Sequence, residues 1–481
     1  MAKTSHIVVV SIPSFSHQSS IIEFCKRLIH LHHNIHVTCI FPIIDAPIQA
    51  TLKLLESLPP SINYTFLPPI NQQDLPQDGV TQIQLAVAQS MPSFRNSLQS
   101  LCSTNPVVAL VADPLASQAL EIAKEFNLLS FIYYPLSAMT TSLHLHLSTL
   151  HEQISCDYID HPNPIRIPGC IPIHGQDLPG DFFHDRSSIA YKLFLQHSKN
   201  FSLANGLLVN TFSEMEESTI KALQEKYNTI ENNTEVYLVG PIIQSGSEST
   251  KLKGSDCEKW LDKQKPNSVL FVCFGSGGTL SQEQLNELAF GLELSSVKFL
   301  WVLREPSNSS YVGPYSVGSD DDDDDDDDDA ILKFLPHGFL ERTKEQGLVV
   351  PFWAPQTQIL SHTSTGGFLT HCGWNSILES VVFGVPMITW PLFGEQRMNA
   401  ILLTEGLEVG LKVKFNDNGI ADRNEIAEVI RALMLSEERS EIQQRIEALK
   451  DAATSALAED GSSSRALSQF GIRMENLMLE K

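Results

Sequence analysis

Residues 353–396, WAPQTQILSHTSTGGFLTHCGWNSILESVVFGVPMITWPLFGEQ, contain the pattern that decides the fold. Two short apolar strands, 366–371 and 386–391, each run into a turn that contains glycine, and a helical pattern follows the first turn. Apolar strands that alternate with helices are typical of a parallel sheet covered on both faces. The stretch therefore predicts an α/β domain whose ligand-binding loops follow its strands.

The same alternation occurs on both sides of a polar segment, QSGSESTKLKG at 244–254. Strands are predicted before it at 7–12, 36–41, 107–112, 131–134, 207–211 and 236–240, and after it at 268–274, 298–304, 348–353, 366–371, 386–391 and 409–414. We therefore predict two doubly wound, Rossmann-like domains, 1–243 and 256–460, that face each other across a cleft. Residues 244–255 are predicted as their linker. A C-terminal helix, 461–481, is predicted to pack back on the first domain.

The charge balance of the 481-residue chain argues against two classes of partner. The chain has 33 basic and 57 acidic residues and a formal net charge of -24. Phosphate backbones and anionic lipid surfaces repel such a chain, so we expect neither nucleic acid nor membrane binding. Ten of the acidic residues form one run, Asp320–Asp329. A run of like charges stays solvated, so 305–331 is predicted as a disordered acidic insert, with a calcium site as the alternative.

The cysteines and the N-terminus predict a cytoplasmic protein. None of the eight cysteines forms a CxxC pair, and several lie inside apolar runs, such as Cys39 and Cys273. This pattern favours free thiols packed in strands over disulfides or a zinc site. The apolar run Ile7–Val10 is too short for a signal peptide or a membrane span, and no other segment is long enough to cross a bilayer.

Polar and aromatic side chains in 353–396 stand where strands end and helices begin. Trp353 offers an indole face for a planar base, and Gln356 offers an amide for its edge. His371 ends a strand, and GWNS opens the next helix, whose free N–H groups and positive dipole end favour a phosphate. Glu379, one turn further on, can accept two hydrogen bonds from ribose hydroxyls. Glu395 and Gln396 follow the last strand and suit sugar hydroxyls.

A second glycine-rich turn, FGSGGTLS at 274–281, also joins a strand to a helix. A tight βα turn needs glycine in any case, so this segment is weak evidence by itself. Beside 353–396, however, Ser276, Gly277 and Thr279 become candidate diphosphate contacts. The segment is not a dinucleotide fingerprint, because Leu280 stands where the third glycine would fall.

His17 and Asp113 are the candidate catalytic residues. His17 follows the first strand and its Pro13–Ser16 turn, and Asp113 ends another buried strand of the same domain. A neutral imidazole held by a carboxylate is a general base that can take a proton from a hydroxyl group as its oxygen attacks.

Residues 353–396 resemble the forty-four-residue signature segment of the plant family 1 UDP-glycosyltransferases. The resemblance rests on the length, on HCGWNS, on Glu379 and on the closing acid–Gln pair. It extends over essentially the whole chain apart from the poly-Asp insert, and it implies a two-domain GT-B fold. Relatives in this family commonly have Gly and Pro where this chain has Ser16 and Ser20, so the loop around His17 departs from the family pattern.

The resemblance also implies a role for each matching residue. Trp353 would stack on uracil, with Ala354 and Gln356 beside the nucleoside. His371, Asn375 and Ser376 would hold the diphosphate, Glu379 the ribose, and Trp374, Glu395 and Gln396 the sugar. A Gln at the position of Gln396 usually accompanies glucose. His17 and Asp113 match the family's catalytic pair, which implies inverting transfer to give a β-glucoside. No carboxylate pair is arranged to hold magnesium, so neither a metal nor another cofactor is expected.

The acceptor is predicted less sharply than the donor. An apolar slot that ends in a His–Asp base suits a flat phenol, and candidates for its lining are Phe15, Ser137 within 135–141, and Phe182–Phe183; core packing explains each of them equally well. The N-terminal half resembles the branch that acts on hydroquinone, monolignols and flavonoids, and within it legume enzymes for flavan-3-ols such as epicatechin. We predict a monomeric O-glucosyltransferase for a phenolic acceptor.

Three alternatives remain. The enzyme could act on a non-phenolic acceptor such as a hormone or terpenoid. The chain could bind a UDP-sugar without catalysis if the altered loop misplaces His17. A nicotinamide-dependent oxidoreductase would share the α/β halves but would need the missing third glycine.

Overall fold

The structure, a computed structural model, describes residues 4–76, 78–227, 234–244, 251–309, 330–437 and 439–480. The chain divides into two compact units. The first comprises Met1–Gln244 with Ala453–Lys481, and the second comprises Ser245–Ala452. Residues 245–250 of the predicted linker and the run Asp320–Asp329 lie outside the described residues.

The first unit is built on a parallel sheet. Its strands are β1 (Ser5–Val10), β2 (Ile35–Phe41), β3 (Ile62–Phe66), β4 (Val107–Ala112), β5 (Leu129–Tyr134), β6 (Gly206–Val209) and β7 (Glu235–Leu238). They lie in the order β3-β2-β1-β4-β5-β6-β7. Its helices before the second unit are α1 (Phe15–Leu31), α2 (Gln49–Glu56), α3 (Gly79–Thr104), α4 (Gln118–Glu125), α5 (Ala138–Gln153), α6 (Gly180–Phe183), α7 (Ile189–Asn200) and α8 (Glu217–Tyr227).

The central strands of this sheet are the ones that the sequence predicts most clearly. β1 and β4 are buried along their whole length, because helices cover both faces and a continuous Val/Ile run suits that position. β3 was not predicted. It lies at the edge of the sheet, where Asn63 and Tyr64 are exposed, so its sequence lacks an unbroken apolar run.

The second unit has a parallel sheet of the same kind. Its strands are β8 (Val269–Cys273), β9 (Lys298–Leu303), β10 (Gly347–Pro351), β11 (Thr365–Thr370), β12 (Met387–Thr389) and β13 (Gly410–Lys412), in the order β10-β9-β8-β11-β12-β13. Its helices are α9 (Lys251–Leu261), α10 (Gln282–Ser295), α11 (Phe339–Thr343), α12 (Gln356–Ser361), α13 (Trp374–Phe383), α14 (Gln396–Ile401), α15 (Arg423–Leu435) and α16 (Arg439–Leu457). The predicted pair of doubly wound α/β units is confirmed.

Two predicted segments have more structure than expected. α9 begins at Lys251, so the end of the predicted linker 244–255 is helical. The predicted insert 305–331 begins with residues that contact the glycine-rich turn. The carbonyl of Glu305 accepts a hydrogen bond from the Thr279 hydroxyl over 2.6 Å, and the amide of Ser307 donates to the carbonyl of Leu280.

The last helix, α17 (Ser462–Glu480), belongs to the first unit. Its Phe470 is fully buried, with ring centroids 6.2 Å from Phe24, 5.0 Å from Phe131 and 5.8 Å from Tyr237. Burial of one such ring stabilises a fold by about 1.5–3 kcal/mol. The C-terminus therefore completes the core that surrounds β1, β5 and β7.

All eight cysteines are free thiols, but only Cys39 and Cys273 lie in strands; most of the others lie in helices or loops. In the described part of the chain, no helix is both long and apolar enough to span a membrane.

Candidate active site

In each sheet, the strand order reverses direction at one point, and His17, Asp113 and His371 follow strands that meet there. In the first unit the reversal falls between β1 and β4, whose last residues, Val10 and Ala112, are paired in register. Loops that leave two such strands diverge to opposite faces and leave a crevice at the carboxyl edge. His17 follows β1 and Asp113 follows β4, so this topology brings the two side chains to one place.

The His17 imidazole is directly bonded to the Asp113 carboxylate. Nδ1 of His17 lies 2.6 Å from Oδ2 of Asp113, and the side chains are 16% and 1% exposed. A carboxylate only accepts, so Nδ1–H donates and Nε2 carries the ring's lone pair. The other oxygen of Asp113 accepts the amide of Leu115 over 2.9 Å, which fixes the carboxylate. The pair has the form of a general base with its orienting acid.

A buried glutamine shapes the turn that carries His17. Nε2 of Gln18 donates to the carbonyl of Ile12 over 2.8 Å, and Oε1 accepts from the hydroxyl of Thr51 over 2.5 Å. Gln18 is 2% exposed, and both of these bonds tie the start of α1 to neighbouring segments. Sequence reasoning missed this residue, because its partners are a backbone carbonyl and a distant threonine.

The two serines that depart from the family pattern have different surroundings. Ser20 is buried, and its hydroxyl lies 2.8 Å from the hydroxyl of Tyr133 and accepts from Nδ2 of Asn210 over 3.4 Å. The hydroxyl of Ser16 lies 3.2 Å from that of Ser14 at the start of α1. Ser20 therefore ties α1 to β5, a connection that a proline at this position could not make.

The predicted acceptor residues are mostly packed. Ser137 is fully buried, and its hydroxyl accepts from the amide of Thr140 as the N-cap of α5. At the same helix start, Glu216 accepts from the amides of Ala138 and Met139 over 2.7 and 2.8 Å. Burial raises the pKa of Glu216 to about 7.

Phe15 is partly buried against the core. Phe182 and Phe183 lie in an aromatic cluster with Phe194, at ring distances of 4.5 and 5.7 Å.

Sequence reasoning also missed His144 on α5, because nothing in its helical surroundings distinguishes it from the other histidines. Its ring lies 5.0 Å from Phe194 and 6.1 Å from Tyr134. Burial, with smaller electrostatic contributions from His197 and His17, lowers the pKa of His144 to about 3. His144 therefore has a neutral, polar ring that packs against aromatic side chains. It lies close enough to His17 for that residue to affect its pKa.

In the second unit the strand order reverses between β8 and β11. Cys273 and Thr370, the last residues of these strands, are paired in register. The turn 274–279 and the segment 371–376 therefore leave adjacent strand ends, and Trp353 follows β10 at the same edge. The two predicted donor motifs meet for this reason.

His371 is held between two glycine-containing turns. A methyl group added at Gly275 would lie 2.5 Å from Cε1 and Nε2 of His371, and one added at Gly373 would also clash with the ring. The following residue, Cys372, has φ +66°, a left-handed conformation that is strained for a side chain of its type. Burial, with a smaller contribution from the charge of Arg304, lowers the pKa of His371 to about 4. The imidazole is therefore neutral near pH 7.

Gln356, Ser376 and Glu379 form one hydrogen-bonded group. Nε2 of Gln356 donates to Oε2 of Glu379 over 2.6 Å and to the hydroxyl of Ser376 over 2.9 Å. Glu379 is 5% exposed, and burial raises its pKa to about 7. An acceptor pair held in this way suits vicinal hydroxyl groups.

The remaining predicted donor residues differ in what they expose. The side chain of Trp353 is 38% exposed, Ser276 is exposed, and Gly277, Asn375 and Glu395 are half-buried. Ala354, Trp374 and Thr279 are buried, and the hydroxyl of Thr279 already donates to Glu305. The indole of Trp374 is thus packed inside the unit, which leaves its backbone, at the start of α13, as the group it presents.

Gln396 uses its carbonyl oxygen inside its own loop. Oε1 accepts the amides of Leu392 and Phe393 over 2.8 and 3.0 Å. The side chain is 3% exposed. Its NH2 group is therefore the part that can recognise a ligand.

Comparison with known proteins identifies the family. The family model described as UDP-glucoronosyl and UDP-glucosyl transferase matches residues 242–432. Hydroquinone glucosyltransferase of Rauvolfia serpentina is 47% identical over 483 residues, which cover 99% of both chains. The chain belongs to the plant family 1 UDP-glycosyltransferases.

Solved structures of such glycosyltransferases have the same fold. A UDP-glucosyltransferase from Polygonum tinctorium, capable of glucosylating indoxyl, superimposes with a TM-score of 0.88 at 44% identity over 99% of this chain and 100% of that one. Phytolacca americana UGT2, complexed with UDP-2fluoro-glucose and pterostilbene, has a TM-score of 0.86 at 41% identity over 98% and 100%. The fold is GT-B, and the chain is a glycosyltransferase that uses a UDP-sugar.

Among the described residues, no cluster of three or more His, Cys, Asp or Glu side chains is arranged to hold a metal ion.

Proposed function

We propose that this glycosyltransferase transfers glucose from UDP-glucose to a phenolic hydroxyl of a phenylpropanoid or flavonoid, with inversion at the anomeric carbon. The observation that carries the proposal is the 2.6 Å hydrogen bond between His17 Nδ1 and Asp113 Oδ2. The phenolic class is supported by a relative named hydroquinone glucosyltransferase, by one capable of glucosylating indoxyl, and by a structure complexed with pterostilbene. A flavan-3-ol such as epicatechin is the acceptor that we would test first.

In this proposal the first unit supplies the base. Nε2 of His17 takes the proton of the acceptor hydroxyl as its oxygen attacks the anomeric carbon. Asp113 stabilises the imidazolium that forms, because its charge lies on the opposite side of the ring. A phenol suits this base better than an alkyl alcohol, since its O–H is the more acidic. The neutral ring of His144 and the aromatic residues around it would line the acceptor.

The second unit holds the donor in this proposal. Trp353 stacks on uracil, with Ala354 and Gln356 beside it, and Glu379 accepts hydrogen bonds from the ribose. His371, Asn375 and Ser376, with Ser276, Gly277 and Thr279, surround the diphosphate. Trp374, Glu395 and Gln396 contact the glucose. The set is supported by its placement at the carboxyl edge of one sheet.

The leaving diphosphate gains negative charge as the glycosidic bond to UDP breaks. The N-terminus of α13, a helix of ten residues, presents free N–H groups and a positive dipole end to that charge. His371 adds a ring N–H donor in its neutral form. We propose that these groups stabilise UDP without a metal ion.

We further propose that the enzyme acts as a monomer in the cytosol and binds no nucleic acid. Eight free thiols and a formal net charge of -24 support this proposal.

The test is a transfer assay with UDP-glucose and epicatechin, coniferyl alcohol, hydroquinone or an isoflavone, with products identified by mass spectrometry and the anomer by NMR. We expect a β-glucoside of at least one phenol. His17→Ala and Asp113→Asn should each lower kcat by about 10²–10⁴-fold, the usual range for loss of a general base. His30→Ala is the matched control, because His30 is an exposed histidine of the same helix.

Transfer only to hormones or terpenoids would overturn the phenolic assignment. UDP-glucose binding without transfer to any acceptor would indicate a protein that binds the donor without catalysis. Equal activity of His17→Ala and the parent would remove His17 from the mechanism.

A further inference from the structure

Arg304 is a buried cation at the carboxyl edge of the second unit's sheet, where the candidate donor-binding residues lie. It follows β9, the strand next to β8, and it is 7% exposed. Arginine is rarely buried to this extent, because removal of its charge from water is costly unless the surroundings use it. It lies one strand away from the point where the strand order reverses, and therefore near the candidate diphosphate contacts.

The guanidinium holds the glycine-rich turn. Nη1 donates to the carbonyl of Gly275 over 3.2 Å and to the carbonyl of Gly278 over 3.0 Å. Gly275 has φ +73°, and its Cα faces the ring of His371 so closely that an added methyl group would clash. Arg304, Gly275 and His371 therefore form a continuous chain of contacts.

The charge of Arg304 also reaches its neighbours. It helps to lower the pKa of His371, after burial, and it opposes the rise that burial causes in the pKa of Cys273. Glu379 is the other charged group that acts on Cys273, and it acts in the opposite direction. The positive charge thus lies among the residues to which the donor diphosphate is assigned.

We propose that Arg304 is a positioning residue for the donor: it holds the Gly275–Gly278 turn against His371 and supplies a fixed positive charge behind the diphosphate site. The inference rests on the proposed function, since it assumes that UDP-glucose binds at this edge. A buried positive charge needs no reorganisation when the leaving UDP becomes more negative. The same guanidinium holds the turn and supplies the positive charge, so the two effects come from one group.

Two substitutions separate the hydrogen bonds from the charge. Arg304→Lys keeps the charge but lacks the planar fork, and Arg304→Gln keeps an N–H donor but is neutral. Arg431→Gln is the control, because Arg431 also donates to a backbone carbonyl, that of Leu294, from helix α15. All variants are compared by thermal unfolding, by calorimetry with UDP-glucose, and by kcat and KM.

We expect Arg304→Gln to weaken UDP-glucose binding by about 10–100-fold, as loss of a charged hydrogen-bonding group does, and to lower kcat as well. Arg304→Lys should recover at least about tenfold of that loss. A role in folding alone would affect thermal stability in both variants and would give no recovery by lysine. Arg431→Gln should bind like the parent.

A pH series gives an independent readout. Every protein in this series also carries Glu379→Gln, which removes the carboxylate that titrates near 7. In that background, the protein with Arg304 intact should bind UDP-glucose equally from pH 5 to pH 7. Loss of the Arg304 charge removes one of the two causes that lower the pKa of His371, so the affinity of Arg304→Gln should rise more than that of the protein with Arg304 as the pH falls. Arg304→Lys should stay flat.

Unchanged affinity and kcat in Arg304→Gln, with the parent binding UDP-glucose, would overturn the inference alone. Failure of the parent to bind UDP-glucose would instead overturn the proposed function. If Arg304→Gln does not fold, Arg304→Lys still decides: a loss of UDP-glucose affinity as large as that of His371→Ala would contradict a role for the charge, because lysine retains it.

Discussion

The side-chain amide of Gln356 donates a hydrogen bond to the carboxylate of Glu379 over 2.6 Å. Gln356 opens α12 and Glu379 lies in the middle of α13, so this bond joins the start of one helix to the body of the next. Burial raises the pKa of Glu379 to about 7, and the amide opposes part of that rise. The carboxyl group is therefore poised between its two protonation states near neutral pH.

UDP-glucose affinity should depend on the protonation of Glu379. Only the ionised carboxylate accepts two hydroxyl protons, so the affinity should rise as the pH is raised through about 7 and should fall by about tenfold from pH 8 to pH 6. UDP-glucose is the suitable ligand, because its diphosphate diester does not titrate in this range. Calorimetry checks this, and Glu379→Gln should bind weakly and without that pH dependence. A flat profile for the parent would contradict the prediction.

Gly275→Ala should displace His371. The added methyl group would lie 2.5 Å from the imidazole. We expect UDP affinity to fall by about tenfold or more, the size of losing one good hydrogen-bonding group. Gly419→Ala is the matched control, because Gly419 has φ +74° and nothing within 4 Å of the added carbon. Both variants should lose about 1–2 kcal/mol of stability through left-handed strain, but only Gly275→Ala should lose UDP binding; equal binding by the two would exclude the clash.

Trp353→Ala should weaken UDP binding by about 5–100-fold, since stacking of a base on an aromatic ring is worth about 1–3 kcal/mol. The side chain is 38% exposed, so its removal should change the melting temperature little. Trp353→Phe retains a smaller aromatic face and should be intermediate. Fluorescence quenching and calorimetry with UDP measure the effect, and undiminished binding by the alanine variant would remove Trp353 from the site.

Gln396→Glu should separate loop support from sugar recognition. A carboxylate can still accept the amides of Leu392 and Phe393, so the melting temperature should stay close to that of the parent. The NH2 donor is lost, and kcat/KM with UDP-glucose should fall by about 10–100-fold. Gln396→Leu loses both functions and should also be less stable. Full activity of the glutamate variant would show that the amide donor is not used.

The sequence predicted best what depends on buried strands. β1 and β4 are continuous apolar runs, so the positions of His17 and Asp113 at adjacent strand ends followed from the pattern. The position of His371 directly after β11 was predictable for the same reason. Edge strand β3 was not, because solvent on one side of it permits polar residues.

The sequence did not reveal the roles of side chains that hydrogen-bond to backbone atoms of other segments. Gln18 bonds the carbonyl of Ile12, and Arg304 bonds the carbonyls of Gly275 and Gly278. Any residue type presents a carbonyl, so such pairs leave no pattern in the sequence. The hydroxyl of Thr279 is a case of the same kind, since its partner is the carbonyl of Glu305.

The packing of Phe470 against Phe24, Phe131 and Tyr237 has a consequence for the order of synthesis. A ribosome makes the sheet that carries His17 first, but it makes the helix that covers this sheet only after the whole second unit. Until α17 packs, the first unit exposes an apolar surface that a chaperone can bind. A stop codon that removes α17 would therefore damage the unit whose sheet is made first.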